Sequence, residues 1–176
     1  MKMFKKLMAV ALAGVMALVV LTGCASNAVS TKEILACIND TLARYGNVKF
    51  VAAQNDDEAK AAMKIFQTYK AEHKEAEIEE VVENSLAKVA EQLKARDNTK
   101  EEILVSYAKV DELTSQSLKE RQNKDLAMKL LSEENMKSLN GRTWKNDATG
   151  TISMQMDKIG DDTYIVAVIH VPAVEE

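Results

Sequence analysis

Chemistry in this sequence has few places to start. It holds two histidines, His73 and His170, and two cysteines, Cys24 and Cys37. There is no HxxxH pair and no cysteine-rich cluster, so the usual spacing of a zinc ligand set is missing. A serine nucleophile needs a tight turn and a histidine partner, and no GxSxG occurs. Phosphate-cradling loops of the GxGxxG or GxxxxGK(S/T) type are absent as well. What remains for an enzyme is a site assembled from scattered groups, for which Glu83, Ser132 and Glu134 are the candidates. His170, between Ile169 and Val171, reads as a strand-end or partly buried histidine, and His73, among Lys70, Glu72, Lys74 and Glu75, as solvated. Asp161-Asp162 lacks the ligand series calcium requires and suits a hairpin turn. No cofactor and no metal are implied.

The thiols carry more information. Cys24 follows Leu21-Thr22-Gly23 at the end of an uncharged apolar run that begins at Leu7, and Lys2, Lys5 and Lys6 precede that run. A charged start and an apolar run are the parts of an export signal. The run, about 15 residues, is short of the roughly 20 that span a bilayer. Leu21-Thr22-Gly23-Cys24 resembles the lipobox of bacterial lipoproteins. That resemblance implies that the Cys24 thiol takes a diacylglycerol through a thioether and that cleavage between Gly23 and Cys24 makes Cys24 the mature N-terminus. Residues 1–23 are then a signal peptide, 24–30 a lipidated start with a short tether, and 31–176 a single domain. The expected location is the cell membrane, lipid-anchored and facing outside the cytoplasm, or the outer membrane if the host has one. Cys37 is left as a lone thiol with no intramolecular disulfide, and its mid-helix position on an apolar side suits a buried structural role.

Charge narrows the partners. Without Lys2, Lys5 and Lys6, 20 basic residues face 27 acidic ones, a net charge of −7. That sign argues against nucleic acid and against a polybasic grip on anionic lipid. Attachment falls to the two or three acyl chains that the lipobox implies, which suffice for a stable anchor. The expected partners are the membrane, through the N-terminal lipid, and an envelope protein or cell-wall component.

These features need elements to position them. Ser30 and Glu33 form a capping-box pattern, and Ile34, Cys37, Ile38, Thr41, Leu42 and Tyr45 recur along one helical face, with Gly46 as the stop. Residues 47–53 suit a loop or an edge strand. A second helix follows Asn55-Asp56-Asp57-Glu58, with Ala59, Ala62, Met63, Phe66 and Tyr69 inward. Glu72, Glu75, Glu77, Glu79, Glu80 and Glu83 read as the solvated side of a helix whose other side carries Ile78, Val82, Leu86, Val89 and Leu93 and which continues to Ala95. Asp97-Asn98-Thr99 breaks it, and Thr99 with Glu102 offers another cap. The stretch 103–110 leans to a strand on its β-branched and aromatic content. Polar residues 114–123 suit a connection or a partly helical lead into a helix over 124–139 with Ala127, Leu130 and Leu131 inward, ended by Asn140-Gly141.

The C-terminal part reads most clearly. Residues 151–156 alternate as a half-buried strand, and a turn at Gly160-Asp161-Asp162 leads into a second strand over 164–171. In that strand both alternating sets are apolar, Tyr164, Val166 and Val168 on one face and Ile165, Ala167, Ile169 and Val171 on the other. A strand buried on both faces requires a layer above and a layer below. The expected fold is therefore α+β, a three-layer α-β-α sandwich with a small antiparallel sheet that includes a C-terminal hairpin. Trp144, in the connection before the hairpin, is expected as a core plug.

Asn39 with Tyr45-Gly46, the alanine-rich Ala59-Lys60-Ala61-Ala62, Leu130-Leu131-Ser132-Glu133-Glu134-Asn135 and the closing strand TYIVAVIHV resemble the CAP superfamily, the cysteine-rich secretory, antigen 5 and pathogenesis-related domains. That family has an N-x-x-R-x-x-x-G first helix, an S-x-x-H helix and a G-x-G entry to its last strands, and its fold is an α-β-α sandwich. Here Asn39 and Arg44 are spaced more widely, Asn135 stands where the S-x-x-H histidine would be, Gly150-Thr151-Ile152 matches the entry in part, and Glu83-Asn84 echoes an E-N pair. The family's cavity uses two histidines and two acids, which these positions do not supply. The resemblance therefore implies a degenerate, metal-free member. Together these readings lead to a lipid-anchored, non-enzymatic binding or scaffolding domain of the bacterial envelope. The alternative is an envelope hydrolase built on Glu83, Ser132 and Glu134, which requires those groups to converge in a cavity.

Overall fold

The computed structural model describes residues 29–44, 48–111, 116–145 and 147–174. The apolar run from Leu7, Gly23 and Cys24 lie outside them, as do Tyr45 and Gly46.

The two-faced strand is the centre of the molecule. β1 (Lys49–Ala52), β2 (Glu101–Lys109), β3 (Met136–Ser138), β4 (Thr149–Ile159) and β5 (Asp162–Pro172) form one sheet in the order β1-β4-β5-β2-β3. β5 runs antiparallel to both neighbours, β4 and β2. Gly160, at φ +67°, starts the two-residue turn of the β4–β5 hairpin, where a residue without Cβ is favoured.

Each face of β5 meets its own helical layer. Tyr164, Val166 and Val168 pack with Ala62, Met63 and Phe66 of α2 (Asp57–Glu72) and with Val81, Val82 and Val89 of α3 (Ile78–Gln92). Ile165, Ala167 and Ile169 pack with Ile34 and Ile38 of α1 (Thr31–Leu42) and with Leu126 and Leu130 of α4 (Gln116–Leu130). The fold is α+β in three layers, with β5 touching both cores. Among the described residues no helix is long and apolar enough to cross a membrane.

Several expectations need correction. The sheet is mixed, because β1 pairs parallel to β4. Phe50 of β1 is held on its other side by the Asn39 amide of α1, so helix α1 delivers this edge strand, a tertiary effect that four residues cannot encode. Ser30 does cap α1, its Oγ accepting from the Glu33 amide at 3.4 Å, but the helix ends at Leu42 rather than Tyr45. The six glutamates are all exposed as expected, yet residues 73–77 break the chain between α2 and α3 within that run. After α3 the chain turns through Lys94, at φ +50°, and a short 3-10 turn at Ala95–Asp97. No cap forms at Thr99, because Asn98 closes the turn by accepting from the Lys100 and Glu101 amides and β2 begins at once.

The helix expected over 124–139 is displaced. α4 starts at Gln116 and stops at Leu130, and Met136–Ser138 is a strand. Ser132 makes the stop: its hydroxyl donates to the Lys129 carbonyl at 2.8 Å and accepts from the Asn135 amide. Side chain to backbone bonds of this kind compete with helix. The strand over 103–110 is present as β2, and Trp144 is half-buried against the α1/α4 core, bridging to Ala173.

Candidate functional site

Two tyrosines on neighbouring strands create the most chemically distinct surface. Tyr107 of β2 lies opposite Val166, and Tyr164 of β5 lies opposite Lys109, so the two rings are diagonal neighbours on one face. They are 3% and 7% exposed. Both line a cleft of about 470 Å³ walled by Ile78 and Glu79 of α3, by Met128 and Lys129 of α4, and by Ser132, Glu134 and Asn135 of the turn that follows. Neither phenol hydroxyl has a hydrogen-bond partner among the described residues. Neither oxygen is a buried unpaired atom, so the rings are buried while their hydroxyls keep access to solvent in the cleft, open to whatever enters it.

The field in the cleft is negative. Burial, with the carboxylates of Glu79, Glu134 and Glu83, pushes the Tyr107 phenol up to about 12. Burial and Asp162 push Tyr164 up as well. Lys109, which also lines the cleft, is held by Asp162 at 2.7 Å.

Of the three groups suggested for a hydrolase, Ser132 and Glu134 line this cleft and Glu83 does not. Glu83 instead lies 4.0 Å from Lys137 of β3. The Ser132 hydroxyl is engaged by two backbone groups, and neither histidine lines the cleft. Nothing there resembles a nucleophile with its base.

His170 sits elsewhere and is better connected than the sequence suggested. Its Nε2 lies 2.8 Å from a Glu58 oxygen of α2 and its Nδ1 lies 3.1 Å from a Glu101 oxygen of β2. When the ring is protonated both nitrogens donate, and the imidazolium is clasped by two carboxylates with no lone pair free to act as a base. The Glu58 hydrogen bond is the largest cause raising His170 above the ordinary histidine value; burial opposes it, and the Glu101 bond adds to it. At Glu101 burial would raise the carboxyl, yet the hydrogen bonds from Asn98 and His170 outweigh it and hold the group low. This cluster fastens α2 to the sheet.

The remaining candidates are structural. Cys37 is a half-buried free thiol that burial pushes up, leaving little reactive thiolate. His73 is exposed and stacks on Tyr69 at 4.2 Å. Asn39 holds Phe50, and the Asn135 amide donates to the Lys129 carbonyl, so two positions that carry the CAP resemblance serve local structure. Among the described residues no group of three His, Cys, Asp or Glu could hold a metal ion. Lipidation at Cys24 and cleavage after Gly23 fall outside the described residues.

Comparison of the chain with protein-family models, with curated proteins and with solved structures finds no match.

Sequence reasoning missed Tyr107 and Tyr164 as site residues. The available signal was their position in apolar strands, where a buried ring carries a hydroxyl that needs water or a partner.

Proposed function

We propose that this chain is a lipid-anchored protein of the bacterial cell envelope whose single α+β domain is a non-enzymatic binding module working through the Tyr107/Tyr164 cleft. The observation that carries the reading is the pair of buried phenols whose hydroxyls face the cleft without a protein partner. The anchor rests on Leu21-Thr22-Gly23-Cys24, and acylation of Cys24 would hold the domain on the outer side of the cytoplasmic membrane, or on an outer membrane if there is one. A short tether keeps the cleft within reach of neighbours in the same membrane or of the cell wall. Membership as a degenerate, metal-free CAP-like domain is supported by the α-β-α layer order alone. The hydrolase alternative draws support from Ser132 and Glu134 sharing the cleft.

The test is site-specific photo-crosslinking in intact cells. A photoreactive residue at Met128, on the cleft rim, should give a defined adduct in the membrane fraction, and the same residue at the exposed Asp40 of α1 should give none. Equal adducts at both positions, or none at Met128, would overturn the cleft. A Cys24→Ala variant, checked for an uncleaved signal, should leave the membrane fraction; full retention would refute the lipid anchor. A hydrolytic activity lost in both Ser132→Ala and Glu134→Gln would favour the enzyme instead.

A further inference from the structure

Past Ser106, β2 has an open edge, and it borders the tyrosine cleft. β3 pairs with β2 only at Leu104, Val105 and Ser106. On that outer side Ile103 donates its amide to Asn140 Oδ1 and its carbonyl accepts from the Leu139 amide. Val110 donates inward, to the Thr163 carbonyl of the hairpin. Backbone groups alternate in direction along an antiparallel strand, so the amides and carbonyls of Tyr107 and Lys109 point outward like those of Ile103. Opposite them the chain has turned away: the Asn135 amide donates back to Ser132, and no described residue pairs with β2 there.

Ala108 decides how the cleft runs. Its side chain belongs to the α1/α4 core, whereas Tyr107 and Tyr164 belong to the α2/α3 core, yet all three line the same cleft. Only a cleft that follows the strand edge reaches both layers.

We infer that this edge takes an extended peptide segment of a partner protein as an added strand, with a lysine or arginine of that segment lying over the Tyr107 and Tyr164 phenols. The inference rests on the binding-module reading and names its class of partner. Strand addition draws affinity from main-chain hydrogen bonds and specificity from pockets for alternate side chains. The outward amides and carbonyls of Tyr107 and Lys109 supply the first. For the second, the phenol oxygens can accept from an ammonium or guanidinium. The charges agree: with Lys109 engaged by Asp162, the lining carboxylates of Glu79 and Glu134 face Lys129 alone. Met128, 56% exposed at the rim, adds an adaptable apolar contact.

The experiment titrates the full chain, in detergent micelles, with fluorescent blocked pentapeptides. The reference peptide is Thr-Val-Lys-Val-Thr. One control replaces its lysine by glutamate, and another is N-methylated at the lysine and both threonines, whose amides would face the edge. The reference peptide should bind, and each control should bind at least about tenfold more weakly, the ratio that a single lost charge-assisted or main-chain bond produces. On the protein side, Lys109→Pro removes one outward amide, a change tolerated on an exposed edge, and should weaken the reference peptide about tenfold with circular dichroism unchanged. Tyr107→Phe with Tyr164→Phe should narrow the preference for lysine over glutamate. Equal binding of either control peptide overturns the inference, even if Lys109→Pro fails to fold. Binding of no peptide, with the Met128 adduct still formed in cells, overturns the added strand and leaves the binding module standing.

Discussion

His170 of β5 reaches Glu58 of α2 across 112 positions of sequence, at 2.8 Å. Because this bond and the one to Glu101 favour the protonated ring, the folded protein holds the His170 proton more tightly than the unfolded chain does. The resulting stability is fully present below the ordinary histidine value of 6.5 and is lost as pH rises through the higher folded value. Glu101 acts in the opposite sense: its lowered carboxyl adds stability above the ordinary 4.5, and that is lost as pH falls. Urea denaturation should therefore be most demanding between about pH 4.5 and 6.5. His170→Gln should flatten the alkaline limb, at a cost of roughly 1 kcal/mol near pH 6, a modest figure because the Glu58 side chain is 41% exposed. An unchanged alkaline limb in the variant would disprove the coupling.

Gly150 lies opposite Phe50 in the parallel β1–β4 pair. A Cβ there would come within 2.5 Å of the His170 carbonyl oxygen and 2.7 Å of the Phe50 ring. The ring can tilt, but the carbonyl belongs to the central strand. Gly150→Ala should lower unfolding free energy by about 1–3 kcal/mol, the range for overfilled sites. Adding Phe50→Leu should recover part of that loss and not all of it, as a double-mutant cycle would record.

Asn39 acts as a one-residue strand on the outer side of β1. Its Oδ1 accepts from the Phe50 amide and its Nδ2 donates to the Phe50 carbonyl, each at 2.8 Å. Asn39→Ala should cost about 2 kcal/mol, two hydrogen bonds at roughly 1 kcal/mol each. Hydrogen exchange at the Phe50 amide should quicken in Asn39→Ala and stay slower in Asn39→Asp, which keeps the acceptor. Equal exchange in both variants would show that the side chain does not secure this edge.

Ile169 of β5 is fully buried, whereas Glu80 of α3 lies on the solvated side of its helix. Ile169→Ala should destabilise by about 2–5 kcal/mol, and Glu80→Gln should stay within about 0.5 kcal/mol. A large effect at Glu80 would mean that the acidic run does structural or binding work beyond keeping the helix soluble.

The parts of the fold that were legible in sequence are those whose cause is local or periodic. The Ser30 cap depends on Glu33 three residues away, and the two faces of β5 follow from strict alternation in Tyr164 to Val171. The end of α4 was hidden because Ser132 and Asn135 make the turn with side-chain hydrogen bonds, without a glycine or proline to mark it. β1 was undetermined because its direction comes from Asn39 on a separate helix. The candidate site was least legible. Tyr107 and Tyr164 are 57 positions apart in sequence, and only the β2–β5 register makes them neighbours. Ser132 and Glu134, a hydroxyl and an acid of catalytic type, share the cleft, but with the serine committed to its turn.

Because β5 is the strand that both helical layers clasp, neither core can be completed before Asp162 to Pro172 have joined the chain. A nascent chain that stops short of Asp162 lacks the central strand on which the apolar faces of its helices close. Its pairings with β2 span up to 71 positions, as between Glu101 and Pro172, and contacts of that range form slowly. Folding of this domain thus cannot finish until its last strand has been made, which leaves a window in which a chaperone can hold the chain extended.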